Sequence, residues 1–374
     1  MKYFLIAGEA SGDLHASNLM KGLKQHDPLA EFRFMGGDLM KAVSEGLVVH
    51  YRETSYMMLD VLLHLGKIFK SMSRVKAEIQ NWQPDVVIPV DYPGFNLRMA
   101  RFATSIGLKV FYFISPKVWA WKQRRVKLLK KFTSSLFVIL PFEVDFFGKL
   151  DMKVEYFGNP LVDEIYNFRK DFEGEAAWRL KHGFDKKPIV ALLAGSRRKE
   201  IEAMLPPMVK VAMNHPEYRF VIAGAPSIEA SLYDHHLRGS NVGIVYQETY
   251  ALLESAMAGL ITSGTATLEA ALFDVPQVVL YRTGSLAYGI GKRLIKINFI
   301  SLVNLIYGKQ LVTEIIQRDL FERAFKELSR ILDDAGYREG MKEGYKSLQK
   351  NLGEYGVSQR IGSRMVELLK VDLE

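Results

Sequence analysis

The stretch Tyr3-Phe4-Leu5-Ile6-Ala7-Gly8-Glu9-Ala10-Ser11-Gly12-Asp13-Leu14 decides the fold. Tyr3 to Ala7 carry no charge and read as a short strand buried on both faces. Gly8 to Asp13 break the run with glycines and acids, and residues 14–25 take up helical spacing. The same unit of strand, glycine-containing turn and helix recurs outward along the chain. Val86–Val90 and residues 109–114, 137–140 and 154–157 are further short apolar runs separated by helical stretches. Such runs predict parallel sheet with helices packed on both faces.

The pattern then restarts. Gly158-Asn159-Pro160 closes the first series, residues 168–187 are polar and helical in character, and residues 189–194 form a new strand that runs into Gly195-Ser196-Arg197. Strands at 220–223, 242–245, 260–262 and 277–281 follow, and residues 319–373 are charged and helical without a strand. The expected fold class is therefore α/β, with two Rossmann-like parallel-sheet domains. The expected limits are 1–165 for the first, 166–340 for the second, and 341–374 for C-terminal helices packing back on the first. Ligands of such sheets bind at the carboxyl ends of the strands, where loops and helix N-termini converge. Functional residues are to be sought just after strands.

Composition narrows the chemistry. The chain has 374 residues, 50 Lys+Arg against 42 Asp+Glu for a net charge of +8, 48% hydrophobic residues and no cysteine. Apolar content this high excludes a disordered chain. Zero cysteine excludes disulfide scaffolds, cysteine–zinc sites, iron–sulfur clusters and thiol catalysis. No apolar run reaches the roughly 18–20 residues of a membrane span. Met1 to Gly8 is too short for a signal peptide, so a cytoplasmic protein is expected. The positive balance points to anionic partners.

Several loops after strands could carry chemistry. In Gly264-Thr265-Ala266-Thr267-Leu268-Glu269, Gly264 permits close backbone approach and Thr265 is placed to cap a helix whose free amides favour phosphate, with Glu269 in reach of ribose hydroxyls. A plain capped turn explains the pattern equally. In Ala194-Gly195-Ser196-Arg197-Arg198-Lys199, Ser196 and Arg197 suit a diphosphate; three cations at a helix N-terminus oppose its dipole unless an anion binds there. Glu9, Ser11 and Asp13 suit hydroxyl recognition, although a helix cap accounts for Ser11 or Asp13. Asp91, in Val90-Asp91-Tyr92-Pro93-Gly94, leaves an apolar strand tip, where desolvation lifts a carboxylate toward the range of a general base; closing the Pro93-Gly94 turn is the competing role.

Two stretches suggest surfaces. Trp119 and Trp121 precede or join a run of seven basic residues without an acid between Lys117 and Lys131. It fits nucleic acid, lipid headgroups or a solvated face. In 61–76, Leu62, Leu65, Ile68, Phe69, Met72 and Val75 recur at helical spacing beside a stripe of Lys67, Lys70 and Arg74, and Met57 and Met58 add apolar bulk. This is expected of a helix lying in a membrane interface, or of a surface helix packed on the sheet. No D-x-D pair, phosphate-binding P-loop or G-x-S-x-G occurs, and His235-His236 make a poor metal pair.

Taken in order, Gly8 to Asp13 with Leu14-His15, Met35-Gly36-Gly37, Asp91 with Phe95-Asn96, Ser115-Pro116 with Val118-Trp119-Ala120-Trp121, Leu140-Pro141-Phe142-Glu143, Gly195-Ser196-Arg197 and Ser263 to Glu269 resemble the lipid-A-disaccharide synthases. The resemblance spans nearly the whole chain. It implies a GT-B type fold, two Rossmann-like domains facing across a cleft. It also implies an inverting, metal-independent transfer that uses no cofactor: 2,3-diacylglucosamine passes from its UDP derivative to 2,3-diacylglucosamine 1-phosphate, giving the β-1′,6-linked disaccharide 1-phosphate and UDP.

By resemblance, Asp91 matches the base of the acceptor hydroxyl, with Glu9 and Ser11 also needed. Arg197 with Ser196 meets the diphosphate, Gly264, Thr265 and Glu269 form the nucleotide turn, and Asn304 and Gln317 lie near the donor. The family often has histidine where Asn159 stands and an acid where Gly94 stands. The resemblance implies peripheral association with an anionic membrane, on the inner face of the inner membrane, leaves an oligomer open, and involves no nucleic acid. The competing readings are another UDP-sugar enzyme of this architecture, an epimerase or a soluble-acceptor transferase, and a basic nucleic-acid-binding protein. Acids at Glu9, Asp13 and Asp91 speak against the last.

Overall fold

The computed structural model describes residues 1–53, 65–120, 123–284 and 298–371. The chain divides into two compact units, Met1–Asp163 with Gly353–Glu374, and Glu164–Leu352.

In the first unit the strands are β1 (Lys2–Ala7), β2 (Glu31–Gly36), β3 (Leu47–His50), β4 (Val86–Val90), β5 (Lys109–Phe113), β6 (Ser135–Val138) and β7 (Glu155–Tyr156), in the order β3-β2-β1-β4-β5-β6-β7. Every pairing is parallel. The order reverses between β1 and β4, which defines a topological switch point. Ala7 pairs with Val90 there, so Gly8 and Asp91 leave the sheet side by side. The strands are apolar because both faces are covered. Tyr3, Leu5, Ala7, Ile88 and Val90 pack one way, and Phe4, Ile6 and Val87 the other.

The second unit repeats the plan. β8 (Ile189–Leu193), β9 (Arg219–Gly224), β10 (Gly243–Tyr246), β11 (Ala256–Thr262), β12 (Gln277–Tyr281) and β13 (Thr313–Ile316) are ordered β10-β9-β8-β11-β12-β13, again all parallel. Its switch point lies between β8 and β11, where Leu193 pairs with Ile261.

The C-terminal helix Val357–Lys370 belongs to the first unit. Val357, Ile361, Met365, Val366 and Leu369 join the core beneath helix Ala10–His26. The buried Asp163 carboxylate accepts the amides of Gly356, Val357 and Ser358 at 2.7, 3.0 and 2.8 Å and so caps this helix from outside it.

Three strands escape the sequence reading. β2 carries Glu31 and Arg33, β3 is a half-exposed edge, and β13 is an edge with Glu314 inside it, so none shows a continuous apolar run. The first helix begins at Ala10, not at residue 14. Asp13 in its first turn does not cap it; the buried carboxylate accepts the amides of Gly37, Leu39 and Met40 at 2.7, 3.0 and 3.2 Å, fixing the turn after β2. β6 ends at Val138 because Leu140 already stands at the N-cap of helix Pro141–Gly148. Among the described residues, no helix is long and apolar enough to cross a membrane.

Candidate active site

In the first unit, the polar residues collect at the switch point. Asp91 follows β4 with its backbone in the left-handed region, φ 44°, and Tyr92 follows at φ 46°. The Asp91 amide donates to the Phe113 carbonyl at 3.0 Å. Its carbonyl accepts the Tyr112 hydroxyl at 2.6 Å and the Asn96 amide at 2.8 Å. Burial pushes the Asp91 carboxyl up to about 6; Lys117 opposes the rise, Glu9 adds to it as a like charge, and His15 lowers it slightly. Glu9 is exposed at the N-cap position of helix Ala10–His26 and makes no cap bond, and Ser11 is exposed in its first turn. Glu9 and Asp91, 82 positions apart by number (91 less 9), thus face one another across two adjacent loops.

Lys117 and His15 were not singled out by sequence. Both lie inside the motifs that carry the resemblance, but only the fold brings them to Asp91. A second buried carboxyl stands behind this edge. Glu143 accepts the Ser115 hydroxyl at 2.6 Å and the Leu140 and Ile139 amides at 3.0 and 3.3 Å. Burial raises it to about 7 against these bonds. It anchors the loop after β5 that carries Lys117.

Trp119 belongs to that loop too. It is 9% exposed and meets Phe142 edge-on at 5.0 Å, so its ring packs within the unit. Trp121 lies outside the described residues. Asn159, where the resembling family often has histidine, is buried; it donates to the Ile139 carbonyl at 3.0 Å and accepts the Leu161 amide at 3.0 Å.

The helix expected at a membrane is described from Leu65 to Trp82, without the Leu65 side chain; Met57, Met58 and Leu62 lie outside the described residues. Met72 and Val75 are buried in the core with Ile68 against it, so the apolar stripe from Ile68 onward mostly faces the sheet. Phe69 is 52% exposed, and Lys67 and Lys70 are exposed beside it. Arg74 is tied to Glu53 at 2.9 Å and to the Val48 carbonyl at 2.8 Å.

In the second unit, the loops after β8 and β11 leave the sheet together. Arg197 is the N-cap residue of helix Arg198–Met213, has no side-chain cap bond, and is 74% exposed with Glu200 at 3.3 Å. Glu200 also accepts the Ser196 amide at 3.2 Å across Gly195, whose φ of 105° requires glycine. Gly264, not Thr265, is the N-cap of helix Thr265–Leu272, and the exposed Thr265 side chain does not cap it. The Thr267 amide and hydroxyl both donate to the Gly264 carbonyl, at 3.3 and 2.8 Å, closing the first turn. Glu269 is half-buried and faces Tyr250.

Asn304 and Gln317 hydrogen-bond within the second unit. The fully buried Asn304 amide donates to the Val312 carbonyl and Glu314, both at 2.9 Å, and accepts the Leu311 and Val312 amides at 2.7 and 3.0 Å. Gln317, at φ 69°, accepts the Thr283 amide at 2.8 Å and donates to its carbonyl at 3.0 Å. Both side chains shape the β12–β13 edge, where the Gln317 amide oxygen and nitrogen make one hydrogen bond each.

Two doubly wound parallel sheets, each with its polar loops at the switch point, are the GT-B architecture of nucleotide-sugar transferases and epimerases. Among solved structures, a UDP-N-acetylglucosamine 2-epimerase from Neisseria meningitidis bound to UDP-GlcNAc matches with a TM-score of 0.69 at 15% identity, over 98% of this chain and 100% of that one. A glycosyltransferase from Streptomyces nogalater matches at 0.62 with 18% identity, over 98% and 99%. These likenesses establish the fold alone. The profile of the lipid-A-disaccharide synthetase family matches residues 3–355. Lipid-A-disaccharide synthases of Geobacter metallireducens and Myxococcus xanthus are 35% and 34% identical, each over 98% of this chain and 97% of the relative. The chain belongs to the lipid-A-disaccharide synthase family, and it is a glycosyltransferase.

Proposed function

We propose that the chain joins a UDP-linked 2,3-diacylglucosamine donor to 2,3-diacylglucosamine 1-phosphate with inversion at the anomeric carbon. Asp91 takes the proton of the acceptor 6-hydroxyl as that oxygen attacks. The observation that carries this role is the desolvated carboxyl at the unit's switch point, raised to about 6, high enough to be an effective base and low enough to be ionised at neutral pH. Glu9 and Ser11, exposed beside it, hold acceptor hydroxyls, and Lys117 limits the rise of Asp91.

Arg197 and the N-terminus of helix Thr265–Leu272 meet the charge that develops on UDP, so the leaving group is stabilised by the protein without a metal. Ser196 and Gly264 let the backbone approach the diphosphate, and Glu269 receives the ribose hydroxyls. Asn304 and Gln317 act from behind, by fixing the edge against which the donor lies. Both substrates carry acyl chains, and exposed Phe69, Lys67 and Lys70 support a peripheral hold on an anionic bilayer at the cytoplasmic face of the inner membrane.

The deciding experiment is UDP release from the purified chain with each diacylglucosamine substrate alone and with both. UDP appearing only with both supports the transfer. UDP released from the donor alone, or epimerised donor recovered from it, would replace this reading with hydrolase or epimerase activity.

A further inference from the structure

Beneath Asp91 lies a set of buried polar groups that the reaction does not itself use. Asp91 and Tyr92 are consecutive non-glycine residues at φ 44° and 46°. Side chains rarely adopt this region, and a turn that does so persists only where its surroundings over-determine it. Two fully buried side chains do that here. The Tyr112 hydroxyl from β5 donates to the Asp91 carbonyl at 2.6 Å. The Asn96 amide donates to the same carbonyl at 2.8 Å and lies 3.1 Å from both the Val90 and Ile6 carbonyls, bridging the two strands that flank the switch point.

Packing alone does not ask for the Tyr112 hydroxyl. The neighbouring Phe111 and Phe113 fill the same strand without one, and a buried hydroxyl is unfavourable unless paired. Its partner is the one carbonyl whose orientation decides where the Asp91 carboxylate goes. Resting on the reading of Asp91 as the base, we infer that Tyr112 and Asn96 are its positioning residues. They hold the carbonyl down, keep the peptide left-handed, and so aim the carboxylate among Glu9, His15 and Lys117. Those three, with Tyr112 below, are the titratable groups that face it; Arg125 faces Tyr112.

The test uses the full chain and the variants Tyr112→Phe, Asn96→Ala and Asp91→Asn, with kcat, KM for each substrate and the pH profile of kcat/KM. Circular dichroism and thermal melting check folding of the first unit, in which all three positions lie. Tyr112→Phe is expected to lower kcat roughly 10- to 100-fold, the scale of a small misplacement of a reacting group, with KM for the donor nearly unchanged. Its acid limb is expected to move to lower pH, because a carboxyl freed from this geometry is better hydrated and returns toward ordinary acidity. Asn96→Ala, where its melting transition is near the parental one, should act in the same direction. Parental kcat and an unmoved acid limb in Tyr112→Phe overturn the inference and leave the base reading intact, provided Asp91→Asn is inactive. Near-normal turnover in Asp91→Asn removes the base reading and this inference together.

Discussion

The ring of Tyr92 occupies the space that a side chain at Gly8 would need. A Cβ built on Gly8 would stand 2.2 Å from the ring Cδ1 and 2.5 Å from Cε1. The loop after β1 and the loop after β4 are therefore interlocked, and the residue beside each partner, Glu9 or Asp91, is placed by that contact. Gly8→Ala forces the ring and its left-handed turn to shift. Turnover is expected to fall roughly 10- to 100-fold, while UDP affinity stays at the parental value because Gly8 lies in the other unit from the proposed nucleotide loops. Steady-state kinetics with calorimetric UDP titration checks this; unchanged kcat would mean that the loop adjusts without moving Asp91.

The raised carboxyls make a paired prediction about pH. A base must be ionised, so kcat/KM should rise with pH through about 6, the value to which burial brings Asp91. Stability should run the other way. Asp91 lies above its ordinary 3.8 and Glu143, at about 7, above its ordinary 4.5, so the folded chain holds both protons more tightly than the unfolded chain. Their contribution is complete at acid pH and is lost as pH rises from about 4 through 7. Asp91→Asn should thus be inactive yet more stable at pH 8, by about 2–3 kcal/mol, with the gain vanishing near pH 4. Denaturant titrations of both proteins at the two pH values measure it.

How much of this was legible in the sequence depended on whether a residue's partners are near it in the chain. Strands β1, β4, β8 and β12 read directly, since burial on both faces leaves a run of uncharged, mostly apolar residues after the first position of each. Edge strand β13 did not, because Glu314 within it serves Ile300, Ser301 and Asn304. Asp91 could be found from its position after an apolar strand. Lys117 could not, because nothing local ties a basic loop residue to a carboxylate 26 positions earlier (117 less 91). Asn304 and Gln317 were recognisable as motif residues, but the chain segments that consume their amides come together only in the folded sheet. The packing of Trp119 was hidden for the same reason: a tryptophan in a basic stretch looks exposed until Phe142 covers it.

Arg197 offers a test of the second unit by itself. Its side chain is 74% exposed and its one described ion pair, with Glu200, is a surface contact at 3.3 Å, worth little in water. It is thus available to a diphosphate. Arg197→Met should weaken UDP binding about 10- to 100-fold, the range of a lost charge-assisted hydrogen bond. The loss should shrink at high salt and should be only partly restored by Arg197→Lys, which lacks the fork. Calorimetry at two ionic strengths reads this out. Equal UDP affinity in all three proteins would take Arg197 out of the site.

The membrane reading rests on a smaller patch than the sequence offered, since Met72 and Val75 face the core. Phe69, Lys67 and Lys70 remain exposed. Each cation near an anionic surface contributes about 1 kcal/mol, so Lys67→Glu with Lys70→Glu should weaken binding to phosphatidylglycerol-containing vesicles at least tenfold, roughly. Binding to purely zwitterionic vesicles should change little. Arg74 is held by Glu53 and Val48 and should contribute less. Co-sedimentation that is unchanged by the double reversal would assign these lysines to a solvated face.

The last prediction concerns how the chain's end is retained. Helices Ala10–His26 and Val357–Lys370 approach so closely that neither tolerates a side chain at the crossing. A Cβ on Gly22 would stand 2.4 Å from the Ser358 carbonyl oxygen, and one on Gly362 would stand 2.7 Å from the Gly22 carbonyl carbon. These are backbone atoms, which cannot step aside as a flexible side chain can. Gly362→Val should force the helices apart and uncover the apolar face of Ile361, Met365, Val366 and Leu369, which packs into the first unit's core. Overpacking of this kind costs about 1–3 kcal/mol or more, and the separation also strains the three amide bonds from Asp163 to the helix start. Gly362→Val should therefore lower Tm by several degrees and make the segment after residue 352 an early site of proteolysis, while Asp163→Ala should do the same through the lost cap alone. A protease-resistant Gly362→Val with parental Tm would show that the C-terminal helix is held by something other than this close crossing.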